Sequence, residues 1–513
     1  MWVTIWQARH FVYDDAYISL RYAQNLVEHG QLVWNVGEFV EGYTNFLFVV
    51  LSAGLMALGV PATLSSQLLA LSAFACTLGL TGQVLRGLQV GPLGLAIGFA
   101  ATAGSIALPV WAMSGMETPL VAALIVATLC AVLPLASGSG LSDRRALLAG
   151  IFGALAFLTR MDAAVLVALI VTTVALTAPA PGRERLRPFL IVGAVGGLVA
   201  LLQTIWRWWY YDSLLPNTFY AKVDVPLRFR LDSAASYLLD SMGQLPFLVV
   251  SLLVSAAVLA AGSVERTMRA VHLACFAGVV GQMAYVFVVG GDHLPAGRFL
   301  APVLPLAAIS LGIGLRSWSM GSKTLVSSAT LIAAACAAWI ATPRIHGGAE
   351  AGLVVGEFVR DEVPVGQTIA LNVAGATPFV AKDHRFIDMQ GLNDAVIGRR
   401  ADVPLRTAWQ RRPGHAKGDG AYVLSRAPEI IIVAGADGDL IENAYHVGEL
   451  ELADHDEFYA CYEPRVAIIS AFASDWHLVA GGPAQTRFTY YERVCPSVGP
   501  GAPENVPSPG EVD

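Results

Sequence analysis

Residues 118–137 read TPLVAALIVATLCAVLPLAS, an uncharged run with enough apolar length for a helix to cross the roughly 30 Å hydrocarbon core of a bilayer. Runs of the same kind recur near 64–85, 92–109, 146–160, 162–179, 188–208, 246–262, 270–289, 299–315 and 324–341. Composition agrees. Of 513 residues, 55% are apolar and 14% charged, where soluble domains carry about 25% charged residues. From Pro343 onward His, Asp, Glu, Arg and Gly become frequent and no further spanning run occurs. The expected fold class is a polytopic α-helical membrane protein over residues 1–342, followed by a C-terminal α/β domain over 343–495. In that domain 353–361 reads as a helix, while TIALNV (368–373), RFIDMQ (385–390), EIIIVAG (429–435), VAIISAF (466–472) and RFTYYERV (487–494) read as strands. Residues 496–513, rich in Pro, Gly, Ser and acids, read as a disordered tail. The net charge of −7 gives no reason to expect a nucleic-acid partner.

The loops sort by charge. Alternate connections carry Arg86; Arg144 and Arg145; Arg183, Arg185 and Arg187; Arg266 and Arg269; Arg316 and Lys323. Every basic short loop thus falls on one side, which the positive-inside rule makes cytoplasmic. The opposite face receives the segment 10–45, the loop WAMSGMETP (111–119), the TRMD corner (159–162), the long loop 209–245, GGDHLPAGR (290–298) and the C-terminal domain. The expectation is a multi-pass protein of the plasma (inner) membrane with its polar site and C-terminal domain extracytoplasmic. Residues 46–60 (FLFVVLSAGLMALGV) are short and break the charge pattern if counted as a span, so they read as a re-entrant or membrane-surface helix. The opening MWVTIWQARHF is too short to anchor the chain, and a further first span ahead of it is expected. Span interiors hold almost no charge, with His272 and Gln282 as the main polar exceptions. Gly94/Gly98 and Gly193/Gly197 have the spacing of helix-packing contacts.

The outer segments hold the chemistry. In FVYDDAYISLRYAQNLVEHGQLVWNVGEFVEGYTNFLF (11–48), residues 16–27 follow Asp14 and Asp15 with a helical apolar pattern interleaved by Arg21 and Asn25. This reads as an amphipathic helix on the bilayer surface. Acids at its start are favoured by the helix dipole alone, and adjacent side chains point about 100° apart, so the two carboxylates do not face one site. Cations gather on the same face: Arg160 beside Asp162, Lys222 in LPNTFYAK (215–222), and His293 and Arg298 in GGDHLPAGR. Beside a carboxylate pair, they suit an anionic lipid headgroup, a phosphate above all.

In this order, the first outer segment, SGMETPL, LTRMD, LPNTFYAK, GGDHLPAGRFLAPVLPL, GLNDAVIGRR and RRPGHAKGDGAYVLSRAPEIIIV resemble the bacterial GT-C glycosyltransferases, over residues 11 to about 435. The branch most alike holds the terminal arabinofuranosyltransferases of the mycobacterial cell wall. The resemblance implies transfer of a sugar, arabinofuranose first, from a polyprenyl-phosphate donor to a hydroxyl of a cell-envelope glycan, among membrane lipids and without a nucleotide. It implies an acid of the first loop, Asp14 or Asp15, as general base; an aspartate of ordinary pKa, about 4, is ionised and accepts the hydroxyl's proton. Arg298, Lys222, Arg160, His293 and Arg21 are the expected contacts to the donor phosphate. Glu41, Tyr43, Asn45, Trp34 and His415 are the expected contacts to the acceptor, with Arg411, Arg412, Asp394 and Asn393 reaching over from the C-terminal domain. The family's Arg-Pro reads Arg160-Met161 here, its Gly-Asp-Trp reads Gly291-Asp292-His293, and its first span is missing. Mannose or another pyranose is the rival sugar. A non-catalytic lipid or glycan transporter is the rival class, and neither midplane charges nor inverted repeats favour it.

Other signals weigh less. Asp437-Gly438-Asp439 has a metal-binding DxD form but follows a strand as a turn would. Neither HExxH nor CxxC occurs, so no metal site is expected, although a divalent cation at Asp14, Asp15 or Asp292 stays open. Cys76, Cys130, Cys275 and Cys336 fall in spans, whereas Cys461 and Cys495 flank the last strands and are able to pair in an oxidising compartment.

The topology has a direct check. In intact cells an impermeant thiol reagent should label Asp437→Cys and leave Asp143→Cys unlabelled, against the wild-type background. The opposite pattern would invert the membrane orientation.

Overall fold

The computed structural model describes residues 12–179, 181–223, 226–262, 264–317, 323, 327, 348–470 and 485–496. The opening residues 1–11, the expected span at 324–341 and nearly all of the expected tail lie outside the described residues. Among the described residues, four helices are each long and apolar enough to cross a membrane: Ala62–Gly87, Thr118–Ala136, Arg185–Tyr211 and Arg266–Val289. Asp143–Thr159, Ala163–Thr177 and Leu304–Ser317 are shorter apolar helices at expected spans. Thr118–Ala136 is the central post, buried over most of its length, while Gly182–Tyr211 stands at the rim with Leu190, Leu198, Leu201 and Leu202 exposed.

Two expected elements are broken by proline. The span at 92–109 divides into Pro92–Gly104 and Ala107–Met113, bent by 47°. The ring of Pro109 would meet the carbonyl of Ser105 in a continuous helix, and Ser105 is extended instead. The expected loop 209–245 is largely helical, in Asn217–Val223 and Leu227–Gln244, and the latter meets Pro246–Ala261 at 94°. Leu245 precedes Pro246 and is pushed out of the helical region. Phe46–Ala57, only 12 residues long, is too short to cross and ends at the exposed Leu58. Of the glycine pairs, Gly94 and Gly98 do pack, against the backbone oxygens of Gly312 and Ala308. Gly193 and Gly197 face open space, because their helix is the one at the rim.

All five expected strands form one sheet in the order β2-β1-β3-β5-β4: β1 Thr368–Leu371, β2 Arg385–Asp388, β3 Ile430–Ile432, β4 Tyr462–Ser470 and β5 Gln485–Arg493. β1 pairs parallel with β2 and β3, and β5 pairs antiparallel with β3 and β4. Asp437-Gly438-Asp439 is a turn, with Gly438 in the left-handed region at φ 67° and its N–H donating to the Gly435 oxygen at 3.1 Å. Cys461 and Cys495 form a disulfide.

The expectation for residues 16–27 needs correction. They belong to the helix Asp14–His29, but this helix is clasped between the membrane helices and the sheet domain and does not lie on the bilayer. Ala16, Tyr17 and Leu20 pack into the membrane-side core; Ile18, Tyr22 and Ala23 pack with Ile369, Leu371 and Phe386 of the sheet. The two helical faces bury against different layers, so a polar residue between them must find partners inside. Arg21, 2% exposed, donates to the Trp34 oxygen at 2.6 Å, the His384 oxygen at 3.2 Å and the Pro378 oxygen, and lies over the Trp34 and Phe386 rings. Asn25 donates to the oxygens of Val33 and Trp34. At the helix start, Asp14 accepts from Gly375 N at 3.1 Å and Ala376 N at 2.9 Å.

Two outcomes follow for this clasp. Arg21→Ala strands several buried carbonyls, and should lower stability by roughly 3 kcal/mol in a detergent unfolding assay, since hydrogen bonds to charged groups contribute about 1.5–3 kcal/mol; unchanged stability with only a donor-binding defect would return Arg21 to the phosphate site. Burial raises the Asp14 pKa to about 7, against the two amide hydrogen bonds and with help from Asp15. The folded protein therefore holds this proton more tightly than the unfolded chain, whose aspartates titrate near 4. The resulting stabilisation is complete below about pH 4 and lost as pH rises through about 7. Melting temperatures of the wild type and Asp14→Asn, followed from pH 4 to 8, should differ in slope over that window; equal slopes would contradict the burial of this carboxyl.

Candidate functional site

Three of the expected cations meet. Arg160 at the end of Asp143–Thr159, Lys222 in Asn217–Val223 and Arg298 in the loop after Arg266–Val289 line one cavity of about 190 Å³. Its remaining wall is largely apolar, with Phe219, Val223, Tyr285, Val289 and Phe299. The chain turns tightly to build it: Gly290 and Gly291 both have positive φ, and a Cβ on Gly291 would collide with Tyr237. That explains the paired glycines at the head of GGDHLPAGR.

The cations differ in how far they are already satisfied. Arg160 donates to both oxygens of Asp162, at 3.0 and 3.2 Å, and to Glu117 at 3.1 Å, and stacks over Phe299. Burial works against its charge, but Asp162 and Glu117 outweigh it and raise its pKa. Arg298 is 6% exposed, and its Nε lies 2.8 Å from Asp292 Oδ2, yet without the direction of a hydrogen bond, so both atoms remain unsatisfied. Its Nη1 touches only the Met116 sulfur, at 3.7 Å. Lys222 has no salt bridge among the described residues. Burial pushes the Asp292 carboxyl up, but Arg298, His293, Lys222 and Arg160 together hold it below the usual range. The site therefore sets three cations against three carboxylates, is walled on one side by apolar side chains, and keeps an unfilled donor on Arg298.

The two first-loop acids separate. Both oxygens of Asp14 are taken by the amides of Gly375 and Ala376. Asp15 is half-buried, holds no hydrogen bond or salt bridge among the described residues, and its charge is felt by Tyr13 and His293. His293 sits against His415, ring centroids 4.8 Å apart, and Trp409 stacks on His415 at 5.0 Å. Both nitrogens of the buried His415 lack a partner. Burial, with the charges of His293, His446, Lys222 and Arg412, pushes its pKa down to about 2, so it is neutral.

The other expected contacts are corrected. Arg21 is spent on the clasp and does not reach the cavity. Trp34, 1% exposed, packs on Phe386. Glu41 is in a buried ion pair with Arg207, Tyr43 is bonded to the Tyr211 hydroxyl at 3.1 Å, and Asn45 bridges Ser19 and Glu117. These four brace the first segment from within: Trp34 packs on the sheet domain, while Glu41, Tyr43 and Asn45 are held by Arg207, Tyr211 and Glu117 of the membrane region. Asn393 donates to Asp388 and accepts from the Tyr22 hydroxyl at 3.2 Å, and Asp394 accepts from the amides of Val396 and Ile397. Arg411 and Arg412 are exposed and stack on Phe229 and Trp409. Sequence reading missed Arg207; a lone arginine within the aromatic run IWRWWYY was the available signal. Among the described residues no group of three or more His, Cys, Asp or Glu side chains is arranged to hold a metal ion.

A family model described as Domain of unknown function (DUF8728) matches residues 342–494. No curated protein matches the chain. Among solved structures, the chain is similar to ArnT from Cupriavidus metallidurans bound to undecaprenyl phosphate, with a TM-score of 0.57 and 10% identity over 95% of this chain and 96% of that one. The apo state of the same protein gives a TM-score of 0.52 and 11% identity over 96% of each chain. At this identity the likeness shows the fold: an integral membrane protein of the GT-C glycosyltransferase architecture with a small C-terminal sheet domain.

Proposed function

We propose that this protein is a glycosyltransferase that moves arabinofuranose from a polyprenyl-phosphate donor to a hydroxyl of a cell-envelope glycan, at the extracytoplasmic face of the plasma membrane. The observation that carries this reading is Arg298, a buried guanidinium with unfilled donors beside a cavity shared with Lys222 and Arg160 and walled by apolar side chains. A planar fork takes two phosphate oxygens at once, and the apolar wall suits the first isoprene units. The similar ArnT structure holds undecaprenyl phosphate, which supports the donor class. The sugar rests on the order of motifs in the sequence.

In this mechanism the acceptor hydroxyl oxygen attacks the anomeric carbon while Asp15 takes its proton. The bond from the anomeric carbon to the phosphate oxygen breaks, and the polyprenyl phosphate leaves with the bonding electrons. Arg298 and Lys222 stabilise the charge that grows on the leaving oxygen, in a site where water screens little. Arg160, held by Asp162 and Glu117, fixes the position of its wall of the cavity. His293 and the neutral His415 offer hydrogen bonds to sugar hydroxyls, and Asp14 keeps the helix start docked so that Asp15 keeps its aim.

Transfer from synthetic polyprenyl-phosphate arabinofuranose and mannose in proteoliposomes tests this. Asp15→Asn should lower turnover by at least about 100-fold, the lower range for loss of a general base, while Asp14→Asn retains much more. Arg298→Lys should fall between wild type and Arg298→Ala in donor KM and rate. Preference for mannose would replace the sugar; normal donor kinetics in folded Arg298→Ala would move the phosphate elsewhere, and no transfer from either donor would end the transferase reading.

A further inference from the structure

A second large cavity opens between the membrane helices. It is an elongated groove of about 840 Å³ between three helices, Ala62–Gly87, Thr118–Ala136 and Asp143–Thr159. Both outer helices pack on the central one. The groove floor is cut by Ala123, Ala127 and Ala131, four residues apart and so on one face of Thr118–Ala136. One wall is Leu69, Ala73, Cys76, Leu80 and Gln83, again at three- and four-residue steps, and the other is Leu148 and Phe152. From Leu69 to Gln83 the helix rises about 21 Å, more than the roughly 15 Å that one leaflet contributes to a core of about 30 Å.

The two ends differ. Phe46–Ala57 packs against both outer helices and closes the end nearer the proposed catalytic face. At the other end stand Ser142, Arg144 and Arg145. Both arginines are exposed and hold no salt bridge or hydrogen bond among the described residues, although their neighbour Asp143 is paired with Arg187 at 2.5 Å. An apolar slot closed at one end and carrying two unpaired guanidinium groups at its open end is complementary to a chain with an anionic head.

We propose that this groove is a binding site for an anionic phospholipid of the leaflet on the basic-loop side, with one acyl chain in the slot and its phosphate on Arg144 and Arg145. It is separate from the donor site, whose cations lie at the opposite ends of the helices, and it holds whether or not the transferase reading stands. The bound lipid fills the gap between two helices that otherwise meet through Thr118–Ala136 and Phe46–Ala57, on the flank of the helix that ends at Arg160.

Native mass spectrometry of the full chain released from nanodiscs of phosphatidylcholine with added phosphatidylglycerol reads the site. The wild type should retain phosphatidylglycerol in preference to phosphatidylcholine. Each basic residue at an anionic surface contributes about fivefold in affinity, so Arg144→Ala/Arg145→Ala should weaken retention about 30-fold. Cys76→Trp, which projects bulk into the slot from an exposed position, should displace the lipid with both charges intact. Arg144→Gln/Arg145→Gln gives a second charge-free pair should the first unfold. Equal retention in all variants would overturn the proposal. Loss with the arginine pair alone would mean surface attraction without occupancy of the groove, and loss with Cys76→Trp alone would mean an occupant without a recognised phosphate; either overturns it. So would retention of polyprenyl phosphate in place of phosphatidylglycerol.

Discussion

Arg21 needs oxygens, and the sheet domain supplies them. A guanidinium carries five N–H donors and cannot shed its charge, so burying it without acceptors would cost many times the stability of a domain. Its acceptors come from Trp34, Pro378 and His384, positions far apart in sequence, and its two aromatic neighbours are Trp34 and Phe386. Asn35 extends the same seam by donating to the Phe386 oxygen at 2.8 Å. Residues 14–45 are consequently part of the C-terminal domain's interior as much as they are an outer segment of the membrane region. The cavity inherits its shape from that union, since Asn217, at the start of the helix that carries Lys222, is fastened to the oxygens of Gly391, Leu392 and Asp394.

Charge counting separates scaffold from site. Arg160 and Arg207 each have carboxylates in good geometry, and a buried pair of that kind fixes a position rather than inviting a ligand. Arg298 and Lys222 face one shared carboxylate, Asp292, that cannot satisfy both. With Arg160, Asp162 and Glu117 included, the charges balance in number, but the poor geometry between Arg298 and Asp292 leaves the Arg298 Nε without a hydrogen bond, and that is what opens the cavity to an anionic group. Glu117 and Asn45 show the opposite economy: every donor and acceptor they offer is answered from within the protein.

Much of the fold was legible because the bilayer imposes a period and a length that few other environments do. The apolar runs, the short helix Phe46–Ala57 and all five strands can be read from residue pattern alone. The broken helices were harder. Pro109 and Pro246 were visible, but a proline within or beside an apolar run does not say whether the helix kinks or stops. In the site, the sequence pointed to Arg160, Lys222, Arg298, His293 and Asp15, which the structure brings together. It misjudged Trp34, Glu41, Tyr43, Asn45 and Arg21, since nothing in a linear pattern tells a polar face turned to ligand from one turned to Arg207 and Tyr211, or to a domain more than 350 residues downstream.

The strand order has a consequence for how such a chain is made. β5 is last in sequence yet sits inside the sheet, between β3 and β4. Until it emerges from the ribosome, β3 has an open edge, and the helix Asp14–His29 waits with one flank uncovered through the insertion of every membrane helix behind it. Assembly therefore proceeds back to front, with the first outer segment among the last parts to be locked. A chain cut short before residue 368 would lack every sheet-domain partner of that helix, leaving Asp14 without the Gly375 and Ala376 amides and Arg21 without the Pro378 and His384 oxygens, and would be open to surveillance by proteases.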